Sequence, residues 1–268
     1  MTTMTAPAPT GLPPRVNGMR ATLLREYRLL TRNHTNLLLA VAPTAVYLLL
    51  FATSLSNLVQ TVGYHGGTVS YQNFALPAVM LSSMIAAATT TGTSLFQEEL
   101  GGMAVELWSY PLRRGSYILG KLLATTGLVL AQSLAALVVG ALVFRVDWSA
   151  GQWGALLLAT VVASFAFNGG YLLLATLVHD FQRFMVLINV VGPVMLFASP
   201  SFYPVDRMAA PVRWLSVANP VTYGIRCLRD SALLGLSASW GWMLLMLAMA
   251  AACAGLTSRT LLRRARRM

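Results

Sequence analysis

The chain has 268 residues, 56% hydrophobic and only 10% charged, with a formal net charge of +11. A soluble domain carries about 25% charged residues, so this composition cannot cover a water-facing surface and lipid is the expected solvent. The positive excess does not point to nucleic acid, because the Arg residues gather at the two chain ends and in one loop, flanking apolar runs as a topology signal does.

Residues 1–18 are rich in Thr, Pro and Ala and lack an apolar core, so they read as a disordered tail rather than a signal peptide. The membrane domain is expected over 19–268. At 100° per residue, Met19, Leu23, Tyr27 and Leu30 share one face of residues 19–32, and Arg25, Arg28 and Arg32 the other. That pattern suits an amphipathic interfacial helix with Arg toward anionic lipid, the other reading being a charged extension of the first span.

Six apolar runs follow, at 37–58, 74–96, 117–144, 153–178, 184–202 and 240–258. Each meets or approaches the roughly 20 residues that cross a bilayer. The predicted fold class is therefore an all-α membrane protein with six transmembrane helices. With the N-terminus inside, fourteen of the 19 basic residues fall on the cytoplasmic side and five outside. This bias predicts a multi-pass protein of the inner (plasma) membrane with both termini cytoplasmic. All but one of the basic residues are Arg, a bias common in high-GC bacterial genomes.

The polar punctuation carries the chemistry. Between the second and third runs lie Glu98, Glu99, Gly101, Gly102, Glu106, Leu107, Trp108, Pro111, Arg113 and Arg114. Gly101-Gly102 breaks the emerging helix, 103–110 can form a short helix exposing Leu107 and Trp108, and Pro111 ends it. Apolar and acidic groups exposed together read as a docking element. Before the last run, Asn219 is a good N-cap with Pro220 at the first helical position. Val221, Ile225, Leu228 and Ala232 recur at helical spacing, and Arg226 and Asp230 are placed to pair at i, i+4. Residues 203–239 read either as two short helices dipping into the outer leaflet or as an amphipathic helix lying flat on it.

Inside the runs the polar groups are weak ones: Thr89 to Thr93, Asn168 beside Gly169 and Gly170, and Asn189. Small residues permit close helix packing. The functional reading makes Thr90, Thr93, Phe165, Asn168, Tyr171, Asn189 and Phe197 a pathway for an amphiphilic substrate.

Several chemistries have no motif here. No GxxxxGK[ST] run exists to bind ATP. No carboxylate lies deep in a run, as proton or sodium coupling usually needs. Asp-rich Mg²⁺ motifs and GxSxG are missing, and Cys227 and Cys253 lack metal-ligand spacing. His179-Asp180 is the one pair from which an integral-membrane enzyme could be built, and a capping pair is the simpler reading.

The series Glu98, Gly101, Glu106-Leu107, Pro111 and Gly120-Lys121 resembles the cytoplasmic loop of type-2 permeases of the ATP-binding-cassette (ABC) exporters. Phe202-Tyr203-Pro204-Val205, Trp214-Leu215, Asn219-Pro220-Val221-Thr222-Tyr223, Arg226 and Arg229 resemble the same family's segment before its last span. The resemblance implies a coupling helix at about 102–110 that docks on an ATPase subunit, with Glu98 and Glu99 at its hinge. It implies outer re-entrant helices forming a gate from Tyr203, Pro204, Asn219, Pro220, Tyr223, Arg226 and Arg229. It further implies two ATPase copies holding ATP and Mg²⁺, no cofactor in this chain, and a second permease subunit as homodimer or heterodimer. Drug or antibiotic export ranks first, since the Asn219-to-Tyr223 motif resembles the daunorubicin-type branch. Export of a lipid-linked glycan, polysaccharide or glycolipid ranks second.

Overall fold

The computed structural model describes residues 59–100, 114–178 and 180–265, together with Leu23, Leu24, Arg28 and Ser54. A β-hairpin, β1 (Thr61–Tyr64) and β2 (Gly67–Ser70), leads into a helical bundle. The helices are α1 (Tyr71–Leu100), α2 (Arg114–Phe144), α3 (Ala150–Leu177), α4 (Phe181–Phe197), α5 (Ala210–Ala218), α6 (Pro220–Leu233) and α7 (Leu236–Ala265), with a 3-10 turn at Val205–Arg207.

The hairpin turns through His65 (φ 48°) and Gly66 (φ 80°). Two consecutive positive-φ residues make the turn whose twist matches paired antiparallel strands, and Gly is favoured there because it has no Cβ to clash. Val62 pairs with Val69, and Val62, Tyr71, Phe74 and Ala75 form a small buried cluster that seats the hairpin on the start of α1.

Side-chain contacts fix the helix directions. Glu98 meets Lys121, Ser83 Oγ donates to the Gln132 carbonyl at 3.3 Å, and Gly140 faces Leu76, so α1 and α2 run antiparallel in one register. Thr176 meets Thr260 and Gly169 faces Cys253, a constant offset that makes α3 and α7 parallel. One end of the bundle, the hairpin end, therefore carries the hairpin, the α2–α3 turn and residues 198–219. The opposite end, the loop end, carries the α1–α2 and α3–α4 connections. Ser149 starts α3 with a capping box, its hydroxyl accepting from Gln152 N while the Gln152 side chain accepts from Ser149 N. Gly235 (φ 86°) makes the tight turn from α6 to α7. The core joins α1, α2, α3, α6 and α7, with Leu76, Met80, Leu81, Leu156, Ile225, Leu228 and Met246 fully buried.

At Gly224 α6 packs close against α3. A Cβ there would lie 2.6 and 2.7 Å from ring atoms of Phe167, which is itself buried. Gly224→Ala should therefore destabilise the protein by about 1–3 kcal/mol through overpacking, read as a lower thermal midpoint in detergent.

The expectation of six spans is corrected. Among the described residues four helices are long and apolar enough to cross a membrane: Tyr71–Glu98, Leu119–Phe144, Ala150–Leu177 and Leu236–Thr260. The run at 37–58 lies outside the described residues apart from Ser54. The run at 184–202 is not a single helix: α4 has 17 residues and stops at Phe197, and a turn through Ala198, Ser199 and Pro200 follows. Ser199 and Ser201 bond each other there at 2.6 Å. Hydropathy alone does not register that break, because Phe202 beyond it is buried. The coupling helix expected at 102–110 also lies outside the described residues. Of the interfacial helix at 19–32 only Leu23, Leu24 and Arg28 are described, all helical. The segment before α7 forms two helices of 9 and 14 residues, and nothing identifies either as re-entrant. The architecture is thus a helical membrane protein with four candidate spans among its described residues.

Candidate functional site

Two buried polar assemblies stand at opposite ends of this bundle. At the hairpin end the centre is Arg229 on α6, 2% exposed. Its Nε donates to the Phe74 carbonyl at 3.1 Å, and its two terminal nitrogens donate to the carbonyls of Pro200 at 2.7 Å and Ser201 at 2.5 Å. The guanidinium carbon lies 3.6 Å from the Phe74 ring centroid. One side chain thus ties α6 to α1 and to the turn after α4, and its planar fork serves three acceptors that a lysine could not reach together. Burial draws its pKa down to about 10, with Tyr64, Asp230 and Tyr71 pulling the other way, so it stays charged at neutral pH.

Asp230, the next residue, faces the hairpin. It accepts from the Tyr64 hydroxyl through Oδ1 and from Trp242 Nε1 through Oδ2 at 2.9 Å, and His65 Nε2 stands 3.7 Å from Oδ1. Burial first, and then the hydrogen bond to Asp230, push the Tyr64 phenol above its ordinary range. The expected Arg226–Asp230 pair does not form. Arg226 instead stacks over Trp242, its guanidinium carbon 5.3 Å from the ring centroid.

The other residues expected in a gate lie around this knot. Asn219 caps α6, accepting from Val221 N at 3.0 Å and donating to the Met195 carbonyl, and Pro220 takes the first helical position. Tyr223 donates to the Val217 carbonyl at 2.6 Å and Tyr203 to the Phe197 carbonyl. Pro204 precedes the 3-10 turn. The structure brings these groups into one assembly, and they stitch α4, α5 and α6 together chiefly through backbone carbonyls.

At the loop end Lys121 Nζ lies 2.8 Å from Glu98 Oε2. Lys121 is 1% exposed and Glu98 is buried with it. The pair clamps the last turns of α1 to the beginning of α2, on either side of residues 101–113, which lie outside the described residues together with Gly101, Gly102, Glu106, Leu107, Trp108, Pro111 and Arg113. Glu99 lies in the last turn of α1 and Arg114 opens α2. Asp180 accepts from Arg183 N at 2.8 Å as the N-cap of α4, a structural role, while His179 lies outside the described residues.

The expected pathway residues divide. Asn168 is fully buried and donates to Thr125 and Thr126 Oγ1, both at 2.9 Å, so it joins α3 to α2. Phe165, Tyr171 and Thr93 are half-buried. Asn189 and Phe197 are exposed on α4, in line with exposed Val186, Val190 and Val194, and Thr90 is exposed on α1. Sequence reasoning missed the hairpin, Asp230 as an acceptor, and the burial of Lys121. The signal for the hairpin was there in Gly66-Gly67 between Val62, Tyr64 and Val69.

Comparison with known proteins adds the family. The profile of the family described as ABC-2 type transporter matches residues 18–233. Proteins named "Probable doxorubicin resistance ABC transporter permease protein DrrC" from two strains of Mycobacterium tuberculosis, CDC 1551 / Oshkosh and ATCC 25618 / H37Rv, are each 24% identical to this chain over 236 residues. The alignment covers 85% of this chain and 84% of each relative. The profile spans most of the chain and the described fold is a bundle of long apolar helices, so this protein belongs to the ABC-2 type transporter family of membrane permeases.

Proposed function

We propose that the chain is the permease subunit of an ATP-driven exporter that moves a hydrophobic or amphiphilic small molecule, a drug or antibiotic, out of the cytoplasm or inner leaflet. ATP and Mg²⁺ are bound by a separate ABC ATPase, two copies of which dock on a pair of permease subunits. The docking loop is residues 98–114, with Glu106, Leu107 and Trp108 as its contact groups.

The observation that best supports this reading is the Glu98–Lys121 pair. Force applied to a loop reaches the bundle only if the helix ends flanking it move together. A buried ion pair at the base of the loop gives α1 and α2 one common lever. Alternating access needs an energy source that acts differently on two conformations, and a lever on α1 and α2 delivers it to the core. The substrate class rests on two supports. The relatives' name connects those proteins with doxorubicin resistance, and beyond Gln182 and Arg183 in its first turn the exposed face of α4 offers one weakly polar amide, Asn189, among apolar side chains. Such a face suits an amphiphile better than a sugar.

The test is co-reconstitution with the cognate ATPase in inside-out proteoliposomes and measurement of doxorubicin uptake. Uptake should require ATP. Leu107→Asp should reduce it at least about tenfold, because a charge replaces a desolvated apolar contact at an interface, with the yield of folded protein unchanged. ATP-dependent movement of a lipid-linked glycan without doxorubicin would replace the substrate class. Uptake indifferent to ATP would refute the reading.

A further inference from the structure

We propose that Arg226, stacked on Trp242, is a binding site for the phosphate of a phospholipid at the membrane interface on the hairpin side. The depth of the site follows from α7. Trp240 is 60% exposed near the start of that helix, and Arg259 is exposed toward its other end. Nineteen residues at 1.5 Å each separate them by about 28 Å, close to the roughly 30 Å hydrocarbon thickness. An exposed Trp and an exposed Arg at that spacing mark the two headgroup boundaries. Trp242 lies two residues inside the Trp240 level, and Arg226 reaches it from the antiparallel α6. The guanidinium therefore stands about 3 Å inside the Trp240 level, at the inner edge of the headgroup layer, from which a long arginine side chain reaches outward to lipid phosphate.

The site is held in place before any ligand arrives. Trp242 cannot rotate freely, because its Nε1 donates to Asp230 Oδ2 at 2.9 Å. Tyr223 packs beside it, ring centroids 6.0 Å apart, and its own hydroxyl is committed to the Val217 carbonyl. Arg226 lies over the indole face, a position that leaves the edge of the guanidinium for an acceptor. It makes no hydrogen bond or ion pair to any described residue.

The surrounding charges favour an anion. The nearest carboxylate, Asp230, is buried with both oxygens already accepting hydrogen bonds. Arg229 beside it offsets its charge while directing its own donors to three carbonyls. The sequence of α3 holds no charged residue, and that of α7 none before Arg259. Arg226 is thus the half-exposed cation of a locally positive surface, and arginine's fork fits phosphate oxygens in pairs. The site is argued from the geometry of Arg226 and Trp242 alone, so it does not depend on the proposed transport function.

Native mass spectrometry of the full chain released from detergent, titrated with phosphatidylglycerol, tests the assignment. Arg226→Gln should weaken the tightest lipid-binding event about tenfold, the loss of a charge-assisted contact, and Arg226→Lys should restore part of it. Arg213→Gln, an exposed arginine on α5 without an aromatic partner among the described residues, should bind as the unaltered protein does. Unaltered affinity in Arg226→Gln would overturn the proposal. Two measurements on the unaltered protein decide the matter independently of any variant. Diacylglycerol, which has no phosphate, should bind at least tenfold more weakly, and equal binding would refute a phosphate site. Displacement of the lipid by millimolar inorganic phosphate would show a free phosphate site and refute the lipid assignment.

Discussion

Replacing Arg229 with methionine should cost the protein about 3–5 kcal/mol, the range for removing one partner from a buried charged network. The volume is nearly conserved, so the loss is one of hydrogen bonds and charge. The Pro200 and Ser201 carbonyls lose their donor, each unsatisfied acceptor costing about 1–3 kcal/mol, and Asp230 is left without the neighbouring cation. The turn after α4 should detach from α6, so limited proteolysis should cut residues 198–209 well before any helix. Arg229→Lys should be intermediate, since an ammonium keeps the charge but cannot serve three carbonyls from one plane. A thermal midpoint for Arg229→Met within a degree of the unaltered protein would show that the knot contributes little.

The loop-end pair carries the second large effect. Lys121→Met or Glu98→Gln alone should each cost about 3–5 kcal/mol, because each removes one partner of a buried ion pair. Glu98→Gln with Lys121→Met should recover most of that stability, since apolar or neutral replacement of a buried pair is often neutral or better. The double-mutant cycle should then give a coupling well above 1 kcal/mol. Stability and transport should part company in that double variant. If the pair is the lever between loop and bundle, the stable double variant should hydrolyse ATP with its partner yet transport poorly. The charge-swapped variant, Glu98→Lys with Lys121→Glu, should regain transport. Full transport in the neutral double variant would reduce the pair to a structural tie.

How much of this was legible in the sequence differs from element to element. Long apolar runs are visible without any structure, because a lipid solvent demands them. Where such a run stops being a helix is not visible in hydropathy, as α4 demonstrates: the chain turns at Ala198–Pro200, yet Phe202 remains apolar because the turn folds it back into the core. Caps are local and were readable, as Asn219-Pro220 opens α6 in the expected way. Partner choice across the chain was not. Arg226 and Asp230 have the right spacing to pair, but Asp230 takes a tyrosine 166 residues away and a tryptophan from the next helix instead. The single lysine stood out in the sequence beside Gly120, while its burial against Glu98 depends on the register of α1 and α2, which no local pattern specifies.

In the proposed export cycle a separate ATPase drives this permease through the loop between α1 and α2. Affinity purification of the tagged full chain from its native membrane, followed by an ATPase assay of the eluate, tests it most directly. The eluate should contain an ATP-binding-cassette subunit and ATPase activity, both lost when Glu106→Arg and Leu107→Asp are introduced together. An eluate without an ATPase subunit, or an ATPase retained in full by that double variant, would contradict it.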